Sequence, residues 1–156
     1  AYVTDKYNHR VLQKSLSTGE VTIFMGGQGK GQAIDQLAFP SSIAFQDGDA
    51  YVTDSENIRV LKKSLSTGEV TLFMGGKGRG DGLHQLHYPT SIAFQDGGAY
   101  VTDDYNDRVL KKSLSCHRRP EEISEHWRGD SLLGWQRHRT SPGYVHRAAG
   151  SCFLPE

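Results

Sequence analysis

Ala1-Tyr2-Val3-Thr4-Asp5 recurs as Ala50-Tyr51-Val52-Thr53-Asp54 and again as Ala99-Tyr100-Val101-Thr102-Asp103, at a spacing of 49 residues both times. Over one full period, residues 1–49 and 50–98 differ at 15 positions and agree at 34. Agreement at that level marks a recent duplication, and a period of about 40 to 50 residues belongs to repeat architectures. The third copy keeps the pattern from Ala99 to Ser115. It loses it at Cys116-His117-Arg118-Arg119, where the earlier copies carry Thr-Gly-Glu-Val.

Working outward from the repeated pentapeptide, each period reads as four short strands. Ser42-Ile43-Ala44-Phe45-Gln46, with Pro40 ahead of it, leads through Asp47-Gly48-Asp49 into Ala50-Tyr51-Val52-Thr53. Arg59-Val60-Leu61-Lys62-Lys63-Ser64-Leu65 follows, then the turn Ser66-Thr67-Gly68, then Glu69-Val70-Thr71-Leu72-Phe73-Met74. Runs rich in β-branched and aromatic residues, separated by Gly, Asp and Ser turns, argue strands. No 3.6-residue apolar period argues helix before Cys116. The expected fold is therefore all-β, built from four-stranded antiparallel blades. Gly26-Gly27-Gln28-Gly29-Lys30-Gly31 and Gly75-Gly76-Lys77-Gly78-Arg79-Gly80 would carry the chain from the outer strand of one blade to the innermost strand of the next, where left-handed backbone favours Gly.

One polar set recurs with the period: Asp5, Asn8 and Arg10; Asp54, Asn57 and Arg59; Asp103, Asn106 and Arg108. Each sits at the turn from the second to the third strand. Asp and Asn are suited to hydrogen-bonding turn amides, and the planar Arg fork suits a carboxylate or carbonyl. A group needed once per blade is expected to be structural, because a ligand or catalytic site is rarely required three times over.

Tyr-Val-Thr-Asp followed by Tyr7-Asn8-His9-Arg10-Val11 resembles the NHL repeat, the Asn-His-Leu type unit of β-propellers. The resemblance extends from residue 1 to about 115 through Pro-x-x-Ile-Ala-Phe, Asn-x-Arg-Val and Gly-Glu-Val-Thr. The second copy departs with Ile58 where the first has His9, and no copy has the motif's Leu. The resemblance implies an NHL-type propeller. Two periods and 17 residues make about two and a half blades, whereas propellers close with about four to eight. An incomplete β-propeller leaves strand edges open, and open edges template association. The chain is then either a piece of a longer propeller or a unit that assembles a ring from several copies. Its opening residues, without Met and inside an expected strand, point to a processed or excised product.

Residues 116–156 form a second region with a different composition. All 8 Lys precede Cys116, while the tail carries 6 Arg, 4 of the 7 His, both Cys and both Trp. A short helix is expected near Pro120–Trp127, and irregular chain beyond it. The tail is either a genuine extension docking on the open blade or the product of a reading-frame shift. Codons for Ser-Thr-Gly read two bases along give His-Arg, and His117-Arg118 stands within one residue of where Thr-Gly belongs. Cys116 and Cys152 are either one disulfide or two free thiols. The four tail His and two Cys lack the spacing of a zinc site.

Of 156 residues, 18 are Lys or Arg and 18 Asp or Glu, so the net charge is zero. That removes the basic excess of a dedicated nucleic-acid or anionic-membrane binder. No apolar stretch is long enough to span a bilayer. Arg79-Gly80-Asp81 and Arg128-Gly129-Asp130 match a cell-adhesion tripeptide that is too common to weigh much. The Gly-rich segments lack the Gly-Lys-Ser/Thr ending and the following helix of a phosphate loop. No catalytic residue, cofactor or metal ligand is assigned.

The expected function is a non-catalytic scaffold for protein or peptide partners, with self-association through open blade edges. RNA enters as a partner only through the resemblance, since NHL propellers bind proteins, peptides or RNA. Two alternatives stand beside it: a fragment of a propeller enzyme of the lyase or lactone hydrolase type, and a self-assembling repeat unit.

Overall fold

Ten strands in three antiparallel sheets account for most of residues 1–114, the part of the chain that the computed structural model describes. The expectations for Cys116–Glu156 lie outside those residues. The first sheet holds β1 (Tyr2–Asp5), β2 (Arg10–Lys14) and β3 (Val21–Gly26), in that order. The second is complete, with β4 (Pro40–Gln46), β5 (Asp49–Asp54), β6 (Arg59–Ser64) and β7 (Val70–Gly75) side by side. The third holds β8 (Pro89–Gln95), β9 (Gly98–Asp103) and β10 (Arg108–Ser113). The fold is an incomplete β-propeller: one four-stranded blade between a blade lacking its inner strand and a blade lacking its outer one.

Turn chemistry sets the register. Asp47 and Gly48 both have positive φ, 51° and 79°, the geometry of a tight type I′ hairpin that Asp-Gly favours. It pairs Gln46 with Asp49 and carries the ladder to Ile43 opposite Val52. One period later Asp96-Gly97 repeats the turn, and Ile92 faces Val101. The long connections run from β3 to β4 and from β7 to β8.

Two apolar layers fill the spaces between sheets. Val11, Phe24, Met25, Leu37, Ala50, Val52 and Leu61 form one, and Tyr51, Val60, Met74, Leu86, Ile92, Ala99, Val101 and Leu110 form the other. Strand side chains alternate between faces, so β5 sends Val52 into the first layer and Tyr51 into the second. This makes β5 buried on both sides. Burying a valine of this kind contributes roughly 1.5–3 kcal/mol.

A repeated aromatic contact joins neighbouring blades. Tyr2 lies edge-on to Phe24 of its own sheet, centroids 4.9 Å apart, and against Phe45 of the next at 4.6 Å. Tyr51 stands likewise between Phe73 and Phe94, at 4.9 and 4.6 Å. A lysine adds a polar tie: Lys63 donates to the Phe24 carbonyl and lies over that ring, and Lys112 does the same to Phe73.

Candidate functional site

The recurrent polar set sits at the turns that join β1 to β2, β5 to β6 and β9 to β10. Asp5 pairs in register with Arg10, Asp54 with Arg59 and Asp103 with Arg108. A four-residue turn separates the two members, and the turn's fourth residue adopts the left-handed region at His9, Ile58 and Asp107 with φ of 55°, 58° and 50°. The five-residue spacing of Asp and Arg follows from this turn. The Asn three residues after the Asp falls on the same carboxylate.

In the second sheet Asp54 is fully buried and accepts three hydrogen bonds. The Ala38 amide donates to Oδ1 at 2.6 Å, while Asn57 Nδ2 and Arg59 Nε donate to Oδ2 at 2.8 and 2.7 Å. Arg59 spends the rest of its fork on the glycine-rich connection. Nη1 donates to the Gln32 carbonyl at 2.8 Å, and Nη2 to those of Ala33 and Gln36 at 2.8 and 3.0 Å. Asn57 also donates to the Gly31 carbonyl at 2.7 Å.

The third sheet repeats the pattern one period on. Asp103, also fully buried, accepts from the His87 amide, Asn106 and Arg108. Asn106 donates to the Gly80 carbonyl, and Arg108 to those of Asp81, Gly82 and Gln85. In the first Arg-Gly-Asp tripeptide the Gly80 and Asp81 carbonyls therefore serve this set. Its twin at Arg128–Asp130 lies outside the described residues.

The first sheet has the same three residues and only part of the network. Asn8 Nδ2 reaches both Asp5 oxygens, at 2.9 and 3.0 Å, and Arg10 Nε donates to Oδ2 at 2.8 Å. Among the described residues no loop carbonyl meets Arg10 or Asn8, and the Asp5 side chain is 25% exposed. The electrostatics divide accordingly. The Arg10 guanidinium, helped by Asn8, holds the Asp5 carboxyl below the usual aspartate range. Burial pushes Asp54 above it, against the opposing pull of the Ala38 amide, Asn57 and Arg59.

Other polar groups are also turned to internal use. Ser41 Oγ meets Thr53 and Ser55, and Ser55 Oγ donates to the Pro89 carbonyl of the adjacent sheet at 2.6 Å. His9 Nδ1 accepts from the Phe39 amide at 3.2 Å. No buried side-chain donor or acceptor is left without a partner among the described residues. A cleft of about 320 Å³ lies between β7 and β10, lined by Leu72, Leu83, His84, Lys111 and Lys112 among others. No described helix is long and apolar enough to cross a membrane.

The nine polar residues are legible in the sequence, whereas the particular loop carbonyls that Asn57, Arg59, Asn106 and Arg108 meet are not. The carbonyls of residues 31–36 and 80–85 carry no side-chain signature. Gln36 and Gln85, identical in both periods, were the available signal that this loop is held in a fixed form.

No protein-family model matches the chain, and no curated protein does either. Among solved structures it is similar to an auxiliary nutrient binding protein from Bacteroides thetaiotaomicron, at 20% identity over 70% of this chain and 33% of that one, with a TM-score of 0.55. A structural genomics protein of unknown function from the same organism matches at 20% identity over 72% of this chain and 32% of that one, with a TM-score of 0.58. Identities at this level define the fold class, a propeller. The chain spans about a third of the length of these structures.

Proposed function

We propose that the chain is an NHL-type propeller segment acting as a non-catalytic scaffold for protein or peptide partners, and that its nine recurrent Asp, Asn and Arg residues are structural. One observation carries the reading. The buried sets at Asp54 and Asp103 direct their donors and acceptors to the chain's own backbone, whereas among the described residues the polar backbone of β1 and β10 pairs on one side only. Groups already saturated are poor general acids, bases or metal ligands, while a half-paired strand is a template for an added one. The binding-type name of one structural neighbour agrees with a scaffold without naming a partner for this chain.

Selection of peptides from a displayed library against the immobilised full chain tests the reading. Enriched extended peptides that slow amide exchange along an open strand are the expected result. Failure to enrich any peptide or protein, or steady turnover of a lactone or other ester by the purified chain, would overturn it.

A further inference from the structure

The two full periods differ at 15 positions, and those differences are gathered at one end of the strands. Three fall on residues 6, 7 and 9, in the turn from β1 to β2, and nine between residues 28 and 41, in the connection from β3 into β4. Turn and connection share that end: Asn57 and Arg59 donate to carbonyls of the connection, and His9 Nδ1 accepts from the Phe39 amide. Exposure does not explain the bias. At the opposite end Leu16–Glu20 and Leu65–Glu69 are exposed throughout, yet identical residue for residue. On the varied end the Asp, Asn and Arg frame is kept while the side chains it displays are exchanged, which is the pattern of a face whose blades read different features of a ligand.

Backbone strain marks the same face. Phe39 and Tyr88, each directly before a proline, hold φ of 53° and 65°, a region that bulky residues avoid and glycine enters freely. Both rings are only half-buried, so burial is a small return for the strain. Each ring receives a lysine. Lys30 Nζ lies 5.0 Å from the Phe39 centroid and pairs with Glu56 at 2.5 Å, and Lys6 Nζ lies 5.8 Å from the centroid of Tyr88. Tyr105, stacked on Tyr88 at 5.1 Å and 62% exposed, stands at the position of Glu56 with Asp104 and Asp107 in its turn. The chain thus shows on itself how this face takes a cation, with a ring and a carboxylate together. From the first blade to the third the turns change sign, from Lys6 to Asp104 and Asp107, and among the described residues no salt bridge holds these three.

We infer that this face binds an extended peptide bearing an acidic and a basic residue, the acid on Lys6 and the base on Tyr105, Asp104 and Asp107. Lys6 and Tyr105 both lie against Tyr88, so the two charges fall about three residues apart in an extended chain. A nucleic acid fits less well, because the varied positions of the three blades carry four basic side chains against five acidic ones.

The inference rests on the scaffold reading and moves the contact from an open strand to a face. The probe is a fluorescein-labelled Gly-Glu-Ser-Ser-Arg-Gly peptide added to the full chain, beside versions with two Glu or two Arg, and followed by anisotropy and amide chemical shifts. It should bind with a Kd on the order of 100 μM, at least fivefold tighter than either single-sign peptide, shifting residues 6–9 and 104–107. The double change Asp104→Asn and Asp107→Asn, at exposed positions where Asn keeps the turn, should weaken it about tenfold. Lys6→Ser, which installs the second blade's residue, should weaken it severalfold, and Ser66→Ala at the opposite end should leave it unchanged. Equal binding of a single-sign peptide, indifference to the Asp104 and Asp107 changes, or shifts confined to the opposite turns would overturn the inference. Displacement of the peptide by a single-stranded oligouridylate at lower concentration would overturn it in favour of a nucleic acid. Library peptides that bind an open strand while this probe fails would overturn it and leave the scaffold standing.

Discussion

Asp5 and Asp54 occupy the same place in two copies of one repeat, each followed at the same spacing by Asn and Arg, yet they live in different environments. Asp54 is fully buried under a loop whose amide and carbonyls complete its network; Asp5 keeps its two side-chain partners and is partly exposed. The motif is therefore half of a device. Its other half is backbone from the connection that leads into the same blade, and where that backbone is present the set fastens loop, strand and hairpin together. The contrast also separates the two things such a cluster does: it orders a turn wherever it occurs, and it locks a connection only where one is seated.

The sharpest way to break the comparison is to remove both carboxylates in turn. Asp54→Ala leaves the Ala38 amide without its acceptor and the Arg59 charge buried, with three carbonyls but no counter-ion. The loss should be about 3 kcal/mol, the lower end for breaking a buried ion pair, by urea unfolding of the full chain. Asp5→Ala removes a partly exposed, solvent-screened pair and should cost much less. Equal losses would show that loop fastening contributes nothing. A neutral Asp54→Ala that abolished peptide binding would make these residues the site after all.

The apolar half of the same contrast comes next. Val52→Ala deletes two methyl groups from a fully packed layer and should cost about 2 kcal/mol through lost transfer energy and the cavity left behind. Val3→Ala, at a side chain 58% exposed, should cost under about 0.5 kcal/mol.

Much of this fold was readable in advance because duplication wrote it down more than once. Tyr-Val-Thr-Asp, the Asp-Gly hairpins and the Ser-Thr-Gly turns are local signals, and they place the strands within a residue or two of where they lie. The polar triads were legible for the same reason. What stayed hidden is the non-local part. Nothing in Gln32, Ala33 or Gln36 announces that their carbonyls receive an arginine fork, because backbone acceptors carry no sequence. The aromatic cluster of Tyr51 between Phe73 and Phe94 joins residues 22 apart within one blade and 43 apart across two, contacts that only sheet formation and the packing of adjacent blades bring together. Ile58 is a further case: a β-branched residue at φ 58° is disfavoured locally, and the hairpin it closes, pinned by Asp54 and Arg59, holds it there.

That stack supplies the third test. Tyr51→Leu keeps most of the apolar burial and loses two ring contacts, for an expected cost of about 1–2 kcal/mol. Tyr100 holds the same position in the third sheet with no aromatic ring in contact among the described residues, only Lys111 over its face. Tyr100→Leu should change stability by under about 0.5 kcal/mol. Comparable losses at the two sites would mean that the interblade contact is worth no more than the ring's own burial.

The smallest effect is the titration of the two aspartates, and it has opposite signs at the two sites. Arg10 and Asn8 favour the Asp5 carboxylate, so its folded value lies below the unfolded one. Its contribution is present above the usual aspartate range and is lost as pH falls through the lowered folded value. Burial raises Asp54, so the folded chain takes up that proton while the unfolded chain still holds a carboxylate; acidification through the raised value adds stability, and a rise in pH through it removes that stability. The two contributions oppose each other near the acid end, and net stability should therefore move little there in the parent chain. Asp5→Asn should expose the Asp54 trend, stability rising as pH falls toward the usual aspartate range, and Asp54→Asn should expose the reverse. Carbon-detected NMR titration of the side-chain carboxyls reads both groups directly, with Asp5 titrating below Asp54. The opposite order would show that the three donors around Asp54 outweigh its desolvation, and that the buried set is held as a firm ion pair at every pH where the chain folds.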